Sequence, residues 1–176
     1  MAKVDVGFRE FFPQTVDALD GDGLLLVSVD AQGRPNVMTI GWGAVGTIWG
    51  RPMFVALVRH SRHTYSRLDQ TGDFTVNLMP PDMGDDVAYC GDVSGREHDK
   101  FAERGLALVP GSKVKAPVIG QALLQYECRT VQKTDVVPDN FAPAILARYY
   151  PEGDFHRIFF GEILATHAEE GFGAGE

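Results

Sequence analysis

Cysteine is scarce in this chain. The two present, Cys90 and Cys128, lie far apart and in no CxxC pattern, so neither a disulfide framework nor a zinc knuckle follows from them. Long apolar runs are absent as well. None approaches the roughly 20 residues of a membrane span, and the opening MAKVDVGFREFF lacks the apolar stretch of a secretory leader. A cytoplasmic protein, with no membrane partner, is the expectation. Positive charge is in the minority: 16 basic residues face 24 acidic ones, for a formal net charge of -8. Such a surface repels phosphate backbones over long range, which argues against a nucleic-acid partner. A local basic pocket for one small anion remains compatible with it.

What is there suits one soluble domain. The 176 residues are enough for a single core, with 44% hydrophobic and 23% charged residues. Residues 1–168 are read as the domain. The ending EEGFGAGE, glycine-rich and acidic with one lone aromatic, is read as a flexible tail over 169–176.

Strand patterns dominate. GLLLVSVD (23–30) is a short apolar run, and DAQGRPN after it is turn chemistry. NVMTIGWGAVGTIWG reads as extended chain broken near its glycines. RPMFVALVR, continuously apolar, reads as a strand buried on both faces. DFTVNLM alternates, with Phe74, Val76 and Leu78 on one side and Thr75 and Asn77 on the other. ALLQYECRTVQKTD and HRIFFGEILATHAEE are two longer strands. Helices are few and short: one over Ser61–Asp69 with Ser61 as its cap, one in MGDDVAYC, and one in SGREHDKFAERG. The last shows a capping box, Ser94 with Glu97, and Gly105 just past its end. A mainly β fold with a few short helices follows, a barrel or closed sheet.

Three stretches carry possible chemistry. GWGAVG (41–46) matches G-x-G-x-x-G, but TIWGRPMFVALV follows it without helical periodicity. The dinucleotide fingerprint needs a helix there, so these glycines are read as bends or places of close approach. VRHSRHTYSR (58–67) is the one basic island, with Arg59, Arg62, Arg67, two histidines and the hydroxyls of Ser61 and Thr64 at a helix start. It suits a phosphate monoester at a helix start, and equally a solvated basic face. His60 and His63 without a nearby carboxylate do not make a metal site. CGDVSGREHDKF (90–101) holds Cys90 and His98, eight residues apart with no third orienting group, a weak basis for a nucleophile. The alternatives are a plain turn between helices, or a turn against a ligand with Lys100 aimed at negative charge.

Taken in order, NVMTIGWG, VRHSRHTYS, GDFTVNL, CGDVSGREHDKF and FHRIFFGEI resemble the flavoredoxin and flavin reductase-like proteins, whose fold is the FMN-binding split β-barrel. The resemblance runs from about Phe11 to Ile163. It implies a homodimer with one FMN per subunit near the interface. Asn36, Met38, Thr39, Ile40, Gly41 and Trp42 would lie along the flavin ring. Arg59, Ser61, Arg62 and Thr64 would hold the phosphate and ribityl tail, with Tyr65 nearby. Asn77, Cys90, Gly91, Ser94 and Lys100 would face the flavin, with Lys100 favouring its reduced anionic form and Cys90 packing beside it. No side chain is assigned as catalytic and no metal is implied.

The function implied is electron passage from NADH or NADPH through FMN to an acceptor: a flavin, ferric iron or a redox partner. An FMN electron-transfer protein reduced by a partner protein is the alternative, and a flavin-binding protein without activity a third. Two departures from the family stand out. The segment over 129–155 is longer than the usual compact turn, and its Phe141, Tyr149 and Tyr150 are expected to pad the subunit contact, a cover over the flavin being the alternative. Phe155 precedes His156 where the family often has Asp.

Overall fold

Every residue of strand β2 (Leu24–Val29) is buried, because its two faces serve two different cores. Leu24 and Leu26 enter the larger cluster, with Phe54, Phe74, Tyr126 and Phe159. Leu25 and Val27 enter a second, with Val37, Val87, Cys90 and Ile119. Each such side chain contributes about 1.5–3 kcal/mol by leaving water. The computed structural model describes residues 2–173; residues 174–176 of the expected tail lie outside the described residues.

β2 turns into β3 (Pro35–Ile40) through a tight reversal. There the Asp30 carboxylate accepts the N–H groups of Gln32 and Arg34, and Gly33 takes φ +78. β4 (Gly43–Ile48) and β5 (Arg51–Arg59) form a second hairpin. Its corner, Trp49–Gly50, is left-handed at both residues, as two-residue hairpins require. β6 (Asp73–Leu78), β9 (Leu124–Asp135) and β10 (His156–Glu169) complete an antiparallel sheet in the order β3-β2-β6-β9-β10-β5-β4. The short β1 (Lys3–Asp5) pairs with the far end of β10. The β9–β10 register shifts twice, β9 carrying the extra residue at Phe160/Gly161 and β10 at Ile163/Ala165; the first half of β10 pairs with β5 and its last residues with β1. The sheet curls round the larger core. β7 (Leu108–Val109) and β8 (Val118–Ile119) form a separate small pair.

The alternation of DFTVNLM holds: Phe74, Val76 and Leu78 join the larger core. Thr75 and Asn77 face the other way, yet are buried under the chain over 107–123. β5 is less enclosed than expected. Phe54, Ala56 and Val58 are fully buried inward, whereas Val55 and Leu57 on its outer face are half-buried.

Among the described residues, five α-helices decorate the sheet: α1 (Phe12–Asp20), α2 (His63–Thr71), α3 (Gly84–Asp92), α4 (Lys100–Glu103) and α5 (Pro143–Tyr149). α1 and α5 have no counterpart in the sequence reading. Two caps differ from it. α2 is preceded by Arg62, with no side-chain cap, because the Ser61 hydroxyl is bonded elsewhere. α4 starts at Lys100 with Asp99 accepting from Ala102 N–H, while Ser94 serves an earlier turn by accepting from Arg96. Gly105 ends that helix at φ +61, as expected. Phe172, read as part of the tail, packs at a tilt against Phe11 with ring centroids 4.8 Å apart. Among the described residues no helix is long and apolar enough to cross a membrane.

Candidate functional site

β3, the start of α2 and the chain leaving α3 converge on two adjoining clefts. The larger, about 320 Å³, has Met38, Ile40, Trp42 and Leu57 as its apolar walls. The smaller, about 190 Å³, is lined by Asn36, Arg62, Thr64, Ser94, Arg96 and Lys100. Met38, Arg62 and Asp92 line both, so the two clefts adjoin along these residues. A wider, open groove of about 1130 Å³ runs on past Gly95 toward Arg34 and Arg67.

The cations of the site are fixed by backbone. Lys100 is buried, and its Nζ donates to the carbonyls of Cys90 (2.9 Å) and Val93 (3.1 Å). Arg62 Nη2 donates to Gly91 O at 2.7 Å. Both charges thus meet the C-terminal carbonyls of α3, the negative end of its dipole. Burial lowers the Lys100 pKa to about 8, so the ammonium persists at neutral pH; burial lowers that of Arg62 too. Gly95 lies so close to Asn36 and His63 that a Cβ there would collide with the Asn36 amide. That amide donates to Thr64 Oγ1 at 2.7 Å across the cleft floor. Gly91 likewise rests against Thr39, whose hydroxyl donates to Val87 O.

One wall of the larger cleft is held by the segment over 136–155. The Tyr149 ring meets Trp42 edge-on at 5.1 Å, and His156 packs on Trp42 at 5.0 Å. Buried Tyr150 bonds His156 Nδ1 through its hydroxyl at 2.7 Å. Burial, aided by Arg59, pushes the His156 pKa down to about 4, so the imidazole is neutral at pH 7. Arg59 donates to the carbonyls of Asp154 and Tyr149 and lies over the Tyr150 ring. Tyr149 and Tyr150 therefore reach the cleft wall.

Of the residues expected from sequence, Met38, Thr39, Ile40, Gly41, Trp42, Arg59 and Gly91 line the larger cleft. Asn36, Ser61, Thr64, Ser94 and Lys100 line the smaller, and Arg62 both. Three lie outside the two clefts. Tyr65 packs between His60 and Phe159, under the Arg157 guanidinium. Asn77 spends its amide on Leu25 O, Thr75 Oγ1 and Ile119 N–H, a fully satisfied buried group. The Cys90 thiol points into the second core, where burial raises its pKa to about 11; only its carbonyl serves the site, through Lys100. The sequence reading missed Leu57, His63, Asp92, Val93, Gly95, Arg96 and His156 as lining residues. Arg96 stood in the quoted motif, but nothing in the sequence showed that it reaches Ser61.

A cleft with apolar walls at Met38, Ile40, Trp42 and Leu57, adjoining one lined by cations and hydroxyls, fits a flat ring carrying an anionic tail. Comparison with known proteins agrees. The family model described as flavin reductase like domain matches residues 21–175. An uncharacterized protein of Archaeoglobus fulgidus is 31% identical over 137 residues, covering 77% of this chain and 67% of its own length. One of Aeropyrum pernix is 28% identical over 152 residues, covering 86% of this chain; the chain spans about half of that relative, 51%. The solved structure of flavoredoxin from Methanosarcina acetivorans is 28% identical with a TM-score of 0.66, over 84% of this chain and 68% of that one. Flavin reductase-like split barrels share the fold.

Proposed function

The chain belongs to the flavin reductase-like domain family, and from that premise we propose that it is an FMN-dependent oxidoreductase, taking electrons from NADH or NADPH and passing them to a second acceptor. The observation that carries this is that the two clefts adjoin, sharing Met38, Arg62 and Asp92. One end suits an isoalloxazine, the other a ribityl phosphate. Bound there, the flavin supplies reversible electron chemistry that no side chain of the site offers.

The residues bind, orient and shield. Met38 to Trp42 lie along one edge of the ring site with Leu57 and neutral His156 beside them. Arg62, Arg96 and Lys100 set positive charge round the tail and the adjoining ring edge, a field that favours added negative charge. The acceptor is a free flavin, ferric iron or a redox protein.

A homodimer completes this reading. On the outer face of the sheet, Leu57 sits opposite Ile158 and Val55 opposite Phe160, all half-buried. Trp49, 62% exposed, lies 5.8 Å from Phe160. Leu57 also lines the larger cleft, so this apolar face runs into the site, and a second copy seated on it would shield both.

A second reading is an FMN carrier reduced by a partner protein. It is favoured by GWGAVG opening strand β4 and no helix, which leaves no dinucleotide fold in view. Mixing FMN-loaded protein with NADH or NADPH without oxygen separates the two. Bleaching of the flavin bands supports the reductase. Bands that survive both nucleotides but bleach with dithionite refute it in favour of the carrier.

A further inference from the structure

The anionic-tail end of the site is braced from outside by one residue of the 136–155 segment. Asp154 takes a left-handed backbone conformation, φ +51, directly after Gly153 at φ +76, a geometry uncommon away from glycine. That turn delivers its carboxylate to Ser61. The Ser61 N–H donates to it at 3.1 Å and the Ser61 hydroxyl at 2.7 Å. Both donors of Ser61 are thereby used, so Ser61 is no direct partner for a phosphate. Its carbonyl is used as well: it accepts from Arg96 Nη1 at 3.1 Å. Arg96, from the chain between α3 and α4, lines the smaller cleft together with Ser61. A chain of contacts therefore runs from Asp154 through Ser61 to Arg96. Arg59 steadies its outer end, donating to Asp154 O at 2.8 Å and standing 4.0 Å from the carboxylate.

We propose that Asp154 is a positioning residue for a phosphate monoester: through Ser61 it holds Arg96 at the smaller cleft, and so sets the preference for a phosphorylated ligand over its unphosphorylated parent. This rests on the flavin reading of the site. Arg96 is exposed, and a free arginine loses considerable rotamer freedom when a ligand captures it. Fixing it beforehand removes that cost from binding. The Asp154 charge does not oppose the phosphate directly, because Ser61 and Arg59 stand round it.

The test is a fluorescence titration with FMN and with riboflavin, which lacks the phosphate, on wild type, Asp154→Ala, Asp154→Asn, Arg96→Ala and the Ala/Ala double variant. Wild type should prefer FMN. Asp154→Ala and Arg96→Ala should each weaken FMN binding about tenfold, the scale of one charge-assisted contact, with riboflavin within about twofold. Asp154→Asn keeps an oxygen for the Ser61 N–H and a polar group for its hydroxyl, so it should retain most of the preference. The double variant should lose no more than either single one, since both act along one chain. FMN binding that tightens in both Asp154 variants would overturn the proposal, making the carboxylate a competitor for the anion site. So would additive losses, or equal weakening of FMN and riboflavin. Arg96→Ala, at an exposed position, carries the test even where Asp154→Ala fails to fold. A wild type that binds neither flavin overturns the flavin reading itself, and the proposal with it. A preference untouched by these variants overturns only the role of Asp154.

Discussion

His156 shows how one residue ties packing to pH. Its imidazole is buried against Trp42 and Tyr150, and its pKa falls from 6.5 to about 4. The unfolded chain therefore binds the extra proton between about pH 6.5 and 4, and the folded chain does not. Stability from this group is complete above pH 6.5 and is lost as pH falls through that window, by at most about 3 kcal/mol. Carboxylates with lowered pKa, such as Glu127 with its four N–H and hydroxyl donors, titrate at lower pH. Thermal melts of wild type should thus fall more steeply from pH 7 to 5 than those of His156→Gln; parallel curves would refute the assignment. At this scale the sequence was a fair guide to which residues meet at the cleft, and a poor one to how. Alternation placed Asn77 on the face away from the larger core, correctly, but could not show that 107–123 covers that face. Ser61 was expected at a phosphate, and its hydroxyl donates to Asp154, 93 positions away.

At the scale of elements, the end of α3 organises the cleft. Two cations from other parts of the chain, Arg62 and Lys100, meet its last carbonyls. Lys100→Met removes the ammonium and leaves the Cys90 carbonyl without that donor inside a buried site. A loss of about 1–3 kcal/mol in urea unfolding is expected, together with weaker FMN binding; unchanged stability and affinity would contradict the role given to Lys100. Strands were the most legible elements, because their apolar runs and the turns between them are local signals. The helix caps were not. Asp99 displaced Ser94 as the cap of α4, and Ser61 was drawn off by Asp154, so tertiary partners overrode a local pattern. α1 starts at an exposed Phe12 followed by Pro13, a beginning that resembles loop chemistry. The path of β10 has a clearer physical trace. A Cβ on Gly161 would overlap the Phe74 ring, so glycine is what lets the strand pass over the core.

For the whole molecule, the split barrel presents its apolar outer face beside the cleft. A second copy on the Leu57–Ile158 and Val55–Phe160 pairs would bury it. Phe160→Glu should turn a dimer into a monomer in light scattering, with looser FMN binding; a wild-type monomer, or a variant that stays dimeric, would rule this face out. The fold was readable from the order of strand patterns and motifs. The segment over 136–155 was not, since its hold on Trp42, Arg59 and Ser61 joins residues distant in sequence. The central claim is that the adjoining clefts are a flavin site, and the visible spectrum of the purified protein before and after adding FMN tests it most directly. The account predicts oxidised-flavin bands that stay with the protein through gel filtration, at one FMN per subunit. Protein that emerges colourless after incubation with FMN would contradict it.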